Sequence, residues 1–147
     1  MTLSVGKQTP AQQTPRQVVD ALFAAIQSGE PEAIRSVLSE DVEWWVAGPP
    51  QIPYAGTFRG PDEVAQFFAR FNAAISYESW QAQQFVTEGD TVVVIGEERW
   101  RAKPSGRYVH NPWVLVITVR DGTILCFRAY EDTAAAKDAF LDGDPGR

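Results

Sequence analysis

The sequence predicts an α+β fold, in which three N-terminal helices pack on a curved, mostly antiparallel sheet and a short C-terminal helix follows. Two observations predict this fold. Apolar residues recur mainly at helical spacing in the first half of the chain and alternate at strand spacing from residue 77 onward. The later segments are joined by short links rich in turn residues, which are typical of an antiparallel meander. Helices and sheet together would form a cone, whose open end is a natural ligand cavity.

The helices are predicted from their end signals and apolar stripes. Thr14 is expected to cap the first helix, with Pro15 in the first helical position and Gln17 completing a capping box. Gly29 ends that helix. A second, short helix starts near Pro31 and is expected to bury Ile34, Val37 and Leu38. The third helix covers "GPDEVAQFFARFNAA" and the last covers "TAAAKDAFL".

The strands are predicted from alternation and from the turn residues between them. "VEWWVA", residues 42–47, is the first strand. The loop "GPPQIPYAG" after it is rich in proline and glycine and is expected to cross the open end of the cone. Four further strands are expected at 77–87, 91–102, 107–119 and 123–131.

The bulk properties limit the classes of partner. The 147 residues suit a single domain, expected at 14–141, between flexible tails at 1–13 and 142–147. A net charge of −6 argues against binding to nucleic acid or to anionic membranes. No apolar run reaches the length of a membrane span, no signal peptide is visible and Cys126 is the only cysteine. We therefore expect a cytoplasmic protein.

The order of these elements resembles that of a known family. The resemblance is carried by "SGEPEAIRSVLSEDVEW" before the proline-rich loop, "GTFRGPDEVAQFF" after it and "VRDGTILCFRAYEDT" near the end of the chain. The chain is similar to the SnoaL-like, ketosteroid isomerase-related branch of the nuclear transport factor 2-like (NTF2-like) superfamily over residues 15–140. The resemblance implies the cone-shaped fold. It does not select one activity, because this fold carries isomerases, cyclases, hydrolases, dehydratases and binding modules without chemistry.

The known catalytic groups of two related enzymes do not carry over to this chain. The positions that resemble the Tyr and the two Asp of ketosteroid isomerase hold Leu22, Val46, and Val114 or a neighbouring apolar residue. The positions that resemble the Arg and two Asp of limonene epoxide hydrolase hold Gly96, Ala129 and Glu98. One acidic group remains of the second set and none of the first, so neither mechanism transfers whole.

Strand alternation, combined with the resemblance, assigns a set of side chains to the cavity face. The substrate-binding candidates are Trp44, Val46, Tyr54, Trp100, Asn111, Trp113, Phe127 and Ala129. Tyr54 lies in the proline-rich loop, where its hydroxyl can be placed over a ligand. The plainer alternative is that Ile52 and Tyr54 fill the core. A β-bulge in any strand would shift these assignments by one residue.

Glu98 and Glu131 are the catalytic candidates on the same face. A carboxyl group among aromatic rings loses hydration, and two such groups close together separate their pKa values into an acid and a base. That pair suits proton transfer next to a carbonyl, or ring opening by water. The alternatives are a solvated charge in the strand "GEERWR" for Glu98 and an exposed strand end for Glu131.

His110 is the third catalytic candidate, because it is the only histidine and histidine titrates near neutral pH. Strand parity turns it away from the face of Trp113, although Pro112 can disturb that parity through a bulge. The alternative is a surface or interface histidine.

The favoured function is a cofactor-independent cyclase, isomerase or hydrolase that acts on a hydrophobic, oxygenated molecule such as a polyketide or terpenoid. The alternatives are a non-catalytic module that binds an apolar ligand, or a dimeric protein with a vestigial pocket. No metal site or cofactor motif is visible. A homodimer is expected through an outer sheet face that holds Trp45, Val114 and Val116.

Overall fold

The computed structural model describes residues 13–141, so the tails expected at 1–13 and 142–147 lie almost wholly outside the described residues. The helices are α1 (Pro15–Ser28), α2 (Pro31–Ser36), α3 (Gly60–Ala74) and α4 (Thr133–Leu141). The strands are β1 (Leu38–Val46), β2 (Gly56–Arg59), β3 (Ile75–Glu88), β4 (Thr91–Ala102), β5 (Tyr108–Arg120) and β6 (Thr123–Glu131). The predicted α+β class, with helices before a mostly antiparallel sheet, is confirmed.

The helix ends follow the predicted signals. The Thr14 side chain accepts from the backbone N–H of Gln17, and the Gln17 side chain accepts from the backbone N–H of Thr14. This reciprocal capping box satisfies two donors that the first turn leaves unpaired. Gly29 ends α1 in the left-handed region, with φ of 72°. The helix therefore delivers its apolar side, including Val19 and Leu22, to the core.

The six strands form one sheet in the order β2-β1-β6-β5-β4-β3. The last four are an antiparallel meander, as predicted, and β1 pairs in parallel with β6. The sequence did not predict β2, which forms at the end of the proline-rich loop and pairs with β1 from Val46–Gly56 to Glu43–Arg59. Leu38 is buried, but it begins β1 instead of ending α2.

The two sheet faces differ in what covers them. The helices α1, α3 and α4 pack on one face, where alternate residues of β4 and β5 are buried. Trp45, Val114 and Val116 lie on the other face and are only half-buried in the single chain. The homodimer expected through this outer face stays a prediction. Within residues 13–141, no helix is long and apolar enough to cross a membrane.

Candidate functional site

A cavity of about 610 Å³ lies between the helices and the covered face of the sheet. Helices α1, α2 and α3 contribute one wall, mainly through apolar side chains such as Phe23, Ile34 and Phe67. Strands of the sheet, including β4, β5 and β6, contribute the other wall. The lining of the whole cavity includes five of the predicted substrate-binding residues, namely Val46, Tyr54, Trp113, Phe127 and Ala129. A cavity of this size holds a small organic molecule.

Glu98 of β4 enters this cavity and is only 7% exposed. Its neighbours Glu97 and Arg99 point to the exposed face, as strand alternation requires. Two side chains donate hydrogen bonds to its carboxylate: the hydroxyl of Tyr77 to Oε1 at 3.1 Å, and the indole Nε1 of Trp100 to Oε2 at 3.1 Å. These donors hold the Glu98 side chain in one orientation.

Glu131 is the last residue of β6 and lines the same cavity. The amide Nδ2 of Asn111 donates to its Oε1 at 3.0 Å and also to the backbone carbonyl of Asp132 at 3.2 Å. Asn111 is 1% exposed and lies on β5, next to the first β5–β6 pair, Trp113–Glu131. Asn111 therefore anchors the strand end and aims the carboxyl group of Glu131 inward.

The two carboxyl groups lie close enough in the cavity for each to shift the pKa of the other. Burial is the main cause that raises the pKa of Glu131 to about 8, and the negative charge of Glu98 adds to it. Burial also raises the pKa of Glu98, but the donors Tyr77 and Trp100 oppose that rise. These causes favour the protonated form at Glu131, whereas the hydrogen bonds from Tyr77 and Trp100 favour the ionised form at Glu98.

Paired indole rings form part of the cavity wall. Trp113 stacks on Trp80 with ring centroids 4.7 Å apart and planes 10° from parallel. The Trp113 ring lies over Gly96, its partner across β4 and β5, where an added Cβ would lie 2.3 Å from Cζ2 of the indole. The wall is flat at this point because residue 96 has no side chain.

Three of the predicted substrate-binding residues, Trp44, Trp100 and Asn111, do not line the cavity. Trp44 is fully buried and stacks on Phe127 with centroids 3.6 Å apart. Trp100 is also fully buried and packs against Phe140 of α4 while it donates to Glu98. Both tryptophans lie on the covered face, as strand parity predicted, but neighbouring aromatic side chains such as Phe127 and Phe140 pack against them. Trp44 and Trp100 therefore support side chains that line the cavity.

The proline-rich loop contributes side chains to both the core and the cavity. Ile52 and Tyr54 are each 2% exposed, so both fill the core. Tyr54 also lines the cavity, and the charges of Glu131 and Glu98 act on it. Burial is the main cause that raises the pKa of Tyr54, so its hydroxyl keeps its proton and is a hydrogen-bond donor.

His110 is exposed and is not among the residues that line the cavity with Glu98 and Glu131. Parity is undisturbed at Pro112, which pairs with Glu97 in a regular stretch of the β4–β5 ladder. Pro112 lies one residue beyond the β5–β6 ladder, which begins at Trp113. His110 therefore faces away from Trp113, as strand alternation alone predicted, and we assign it no part in the chemistry.

Sequence reasoning missed Tyr77 and Trp80, which both line the cavity. The two residues are three positions apart on β3, so simple alternation puts them on opposite faces. A bulge between Tyr77 and Ser79 changes this, because it pairs Tyr77 with Trp100 and Trp80 with Glu98. Tyr77 is 43% exposed as a residue, yet its hydroxyl reaches Glu98. No signal in the sequence marks this bulge.

The described residues, 13–141, contain no group of three or more histidine, cysteine, aspartate or glutamate side chains placed to hold a metal ion. The polar side chains of the cavity lining instead include the carboxyl groups of Glu98 and Glu131 and the hydroxyls of Tyr54 and Tyr77. Such a set can take up a proton at one point and release one at another.

The raised pKa of Glu131 has a consequence for stability. An unfolded glutamate loses its proton near pH 4.3, whereas folded Glu131 holds it up to about pH 8, so unfolding releases a proton between those values. The free energy of unfolding is expected to fall by about 2 to 3 kcal/mol between pH 6 and pH 9 from this group. Urea denaturation of the wild type and of Glu131→Gln measures it. Equal pH slopes in the two proteins would contradict the expectation.

Comparisons with known proteins bear on this site. The sequence model of the SnoaL-like domain matches residues 19–127, which is most of the chain. A crystal structure of an NTF2-like protein from Burkholderia xenovorans is 32% identical, with a TM-score of 0.81, and the match covers 90% of this chain and 99% of that one. A second NTF2-like protein, from Burkholderia thailandensis, is 26% identical with a TM-score of 0.78, covering 87% and 98%.

A more distant structure, from Mesorhizobium loti, carries the provisional name of a SnoaL-like polyketide cyclase. It is 16% identical with a TM-score of 0.65, and the match covers 80% of this chain and 99% of that one. At that identity it shows a shared fold. A comparison with curated proteins finds no match.

Proposed function

This chain belongs to the SnoaL-like domain family, and on that basis we propose that it is a cofactor-independent enzyme of the isomerase or cyclase type. Its substrate is an apolar, oxygen-bearing small molecule such as a polyketide or terpenoid, in which it moves a proton at a carbon next to a carbonyl. The observation that carries the proposal is the placement of two carboxyl groups, Glu98 and Glu131, in one aromatic cavity, each held by hydrogen bonds from neighbouring side chains. The fold alone is compatible with several other activities.

The two carboxyl groups take opposite parts in the reaction. The Glu98 carboxylate removes a proton from the carbon beside the carbonyl, and the C–H electron pair becomes the C=C bond of an enol. The carbonyl oxygen takes the proton of Glu131 as its π electrons move onto it. Return of the proton from Glu98 to a different carbon, with the enol O–H proton going back to Glu131, gives an isomer. To close a ring, the enol carbon attacks a second carbonyl, whose oxygen takes the proton of Glu98 while the enol O–H proton returns to Glu131.

Three further side chains set the orientation and the ionisation of Glu98 and Glu131. Tyr77 and Trp100 donate to Glu98 and favour its ionised form, so that it is a base at neutral pH. Asn111 positions Glu131. The surrounding apolar wall keeps water from competing for the proton and strengthens each polar contact. These are positioning roles, because none of the three side chains has to exchange a proton with the substrate.

Solvent exchange tests the proposal without knowledge of the natural substrate. Apolar cyclic ketones of increasing size, from cyclohexanone to 2-tetralone, are incubated with the protein in deuterium oxide. We expect the protein to accelerate deuterium incorporation at the carbon next to the carbonyl, as followed by proton NMR, because Glu98 removes that proton reversibly. Ketones that bind, as shown by tryptophan fluorescence, but do not exchange would favour the alternative of a binding module without chemistry.

A further inference from the structure

The Glu98–Glu131 pair carries a negative charge that no described residue balances. The four salt bridges within residues 13–141 all lie on exposed or half-exposed surfaces, and none includes Glu98 or Glu131. The single cationic side chain among the residues that line the cavity is Arg35, which is already paired with Asp62. Buried charge is normally compensated by a charge of opposite sign, because desolvation is costly.

The walls around the pair are of a kind that favours a cation. Aromatic rings attract a positive charge through the electron-rich faces, and the attraction is stronger away from water. Tyr77 approaches the pair directly through its hydrogen bond to Glu98, and Trp80 lies opposite Glu98 in the β3–β4 register. The aromatic residues that line the cavity include Tyr54 from the loop, Phe67 and Phe71 from α3, Tyr77 and Trp80 from β3, and Trp113 from β5.

We propose that the substrate of this cavity carries an organic ammonium group beside its oxygen function, and that the positive charge lies against Glu98 and Glu131 within the aromatic wall. The inference deepens the proposed function, since it concerns the same cavity, but binding of the cation does not require turnover. An anionic ligand would be repelled by the carboxylate pair. A neutral ligand would displace water from around the pair and leave its charge without compensation.

The binding of a cation is linked to the proton of the pair. The groups that face the two carboxyls are Tyr54 from the loop after β1, Tyr77 from β3 and Asp132 after β6, while α4 contributes the apolar Phe140 beside Tyr54 and Trp100. None of these groups is cationic. A cation next to the pair stabilises its fully ionised form, so it lowers the pKa of Glu131 and makes the proton of Glu131 easier to transfer to the oxygen function of the substrate.

The test uses a ligand with a permanent positive charge, so that a change of pH alters only the protonation of the protein. Benzyltrimethylammonium keeps its charge at every pH, and neopentylbenzene is its neutral counterpart of the same shape. We expect the wild type to bind the cation at least about tenfold more tightly, as measured by tryptophan fluorescence. The preference should increase from pH 6 to pH 9 as the pair loses its proton.

Three variants identify the source of the preference. The double variant Glu98→Gln/Glu131→Gln has no charge in the cavity and should lose the preference. Glu131→Gln keeps the Glu98 carboxylate, so it should keep the preference and lose its pH dependence. Glu97→Gln removes an exposed charge from the same strand and should behave as the wild type. Circular dichroism spectra check that each variant is folded.

The outcomes are distinct for the two proposals. Equal or tighter binding of neopentylbenzene at every pH would overturn the inference, and so would a cation preference that survives in the double variant. If the protein nevertheless exchanges the protons of ketones, the proposed function stands without the inference. If the cation preference is found but no ketone exchanges, the charged ligand is supported and the catalytic proposal is not.

Discussion

Replacing Glu131 with glutamine is expected to lower the rate of ketone proton exchange by about a thousandfold, because the amide cannot deliver a proton to the carbonyl oxygen. The side chain keeps its size, and its oxygen can still accept from Asn111 Nδ2, so the fold should be retained. The measurement is deuterium incorporation by NMR at equal protein concentrations. Glu98→Gln, which removes the base, is expected to reduce exchange at least as strongly.

The matched control for both variants is Glu97→Gln. Glu97 is adjacent to Glu98 on β4 but lies on the exposed side of the strand, where Gln83 approaches it at 3.4 Å. Like Glu98→Gln, this variant removes one negative charge, but it does not touch the cavity, so its exchange rate should equal that of the wild type. Full activity in Glu131→Gln would remove that residue from the mechanism, and an equal loss in Glu97→Gln would indicate a general electrostatic effect.

Replacing Gly96 with alanine is expected to lower the free energy of unfolding by about 3 kcal/mol, because the new methyl group has no space. Its Cβ would lie 2.1 Å from the backbone oxygen of Gln81 and 2.3 Å from Cζ2 of Trp113. The first contact is with backbone and cannot be relieved by a side-chain rotation. The second would push the Trp113 indole away from Trp80. Urea denaturation measures the loss of stability.

Gly89→Ala is the control for the Gly96 variant. Gly89 lies in the β3–β4 turn with φ of 57°, and no atom lies within 4 Å of an added Cβ. Only the left-handed backbone penalises that substitution, at about 1 kcal/mol. A smaller loss for Gly96→Ala than for Gly89→Ala would show that β3 and Trp113 adjust easily. The flat indole wall would then not depend on glycine at position 96.

The order and type of most elements could be predicted from local chemistry. The capping box at Thr14, the glycine at 29 and the "RDG" turn near residue 121 set ends that the structure retains within one or two residues. The strand β2 could not be predicted, because Gly56–Arg59 has no clear alternation and is a strand only through its pairing with β1. The parallel β1–β6 pairing likewise joins segments about 80 residues apart.

Part of the candidate site could be predicted from strand alternation. Together with the family resemblance, it assigned Glu98, Trp113 and Phe127 to the cavity face, and each lines the cavity. It could not assign Tyr77 and Trp80 to the same face, since a bulge in β3 creates that arrangement. Catalysis by any of these residues stays a proposal.

The sequence by itself determined the α+β class and the supply of two carboxyl groups on one face of the meander, because both follow from local patterns of period 3.6 and 2. Only the tertiary structure decided which carboxyl holds the proton. That choice depends on donors from three separate strands, Tyr77, Trp100 and Asn111, and on the depth at which the helices bury the pair. Burial and long-range hydrogen bonds, which set a pKa, are absent from any local stretch of chain.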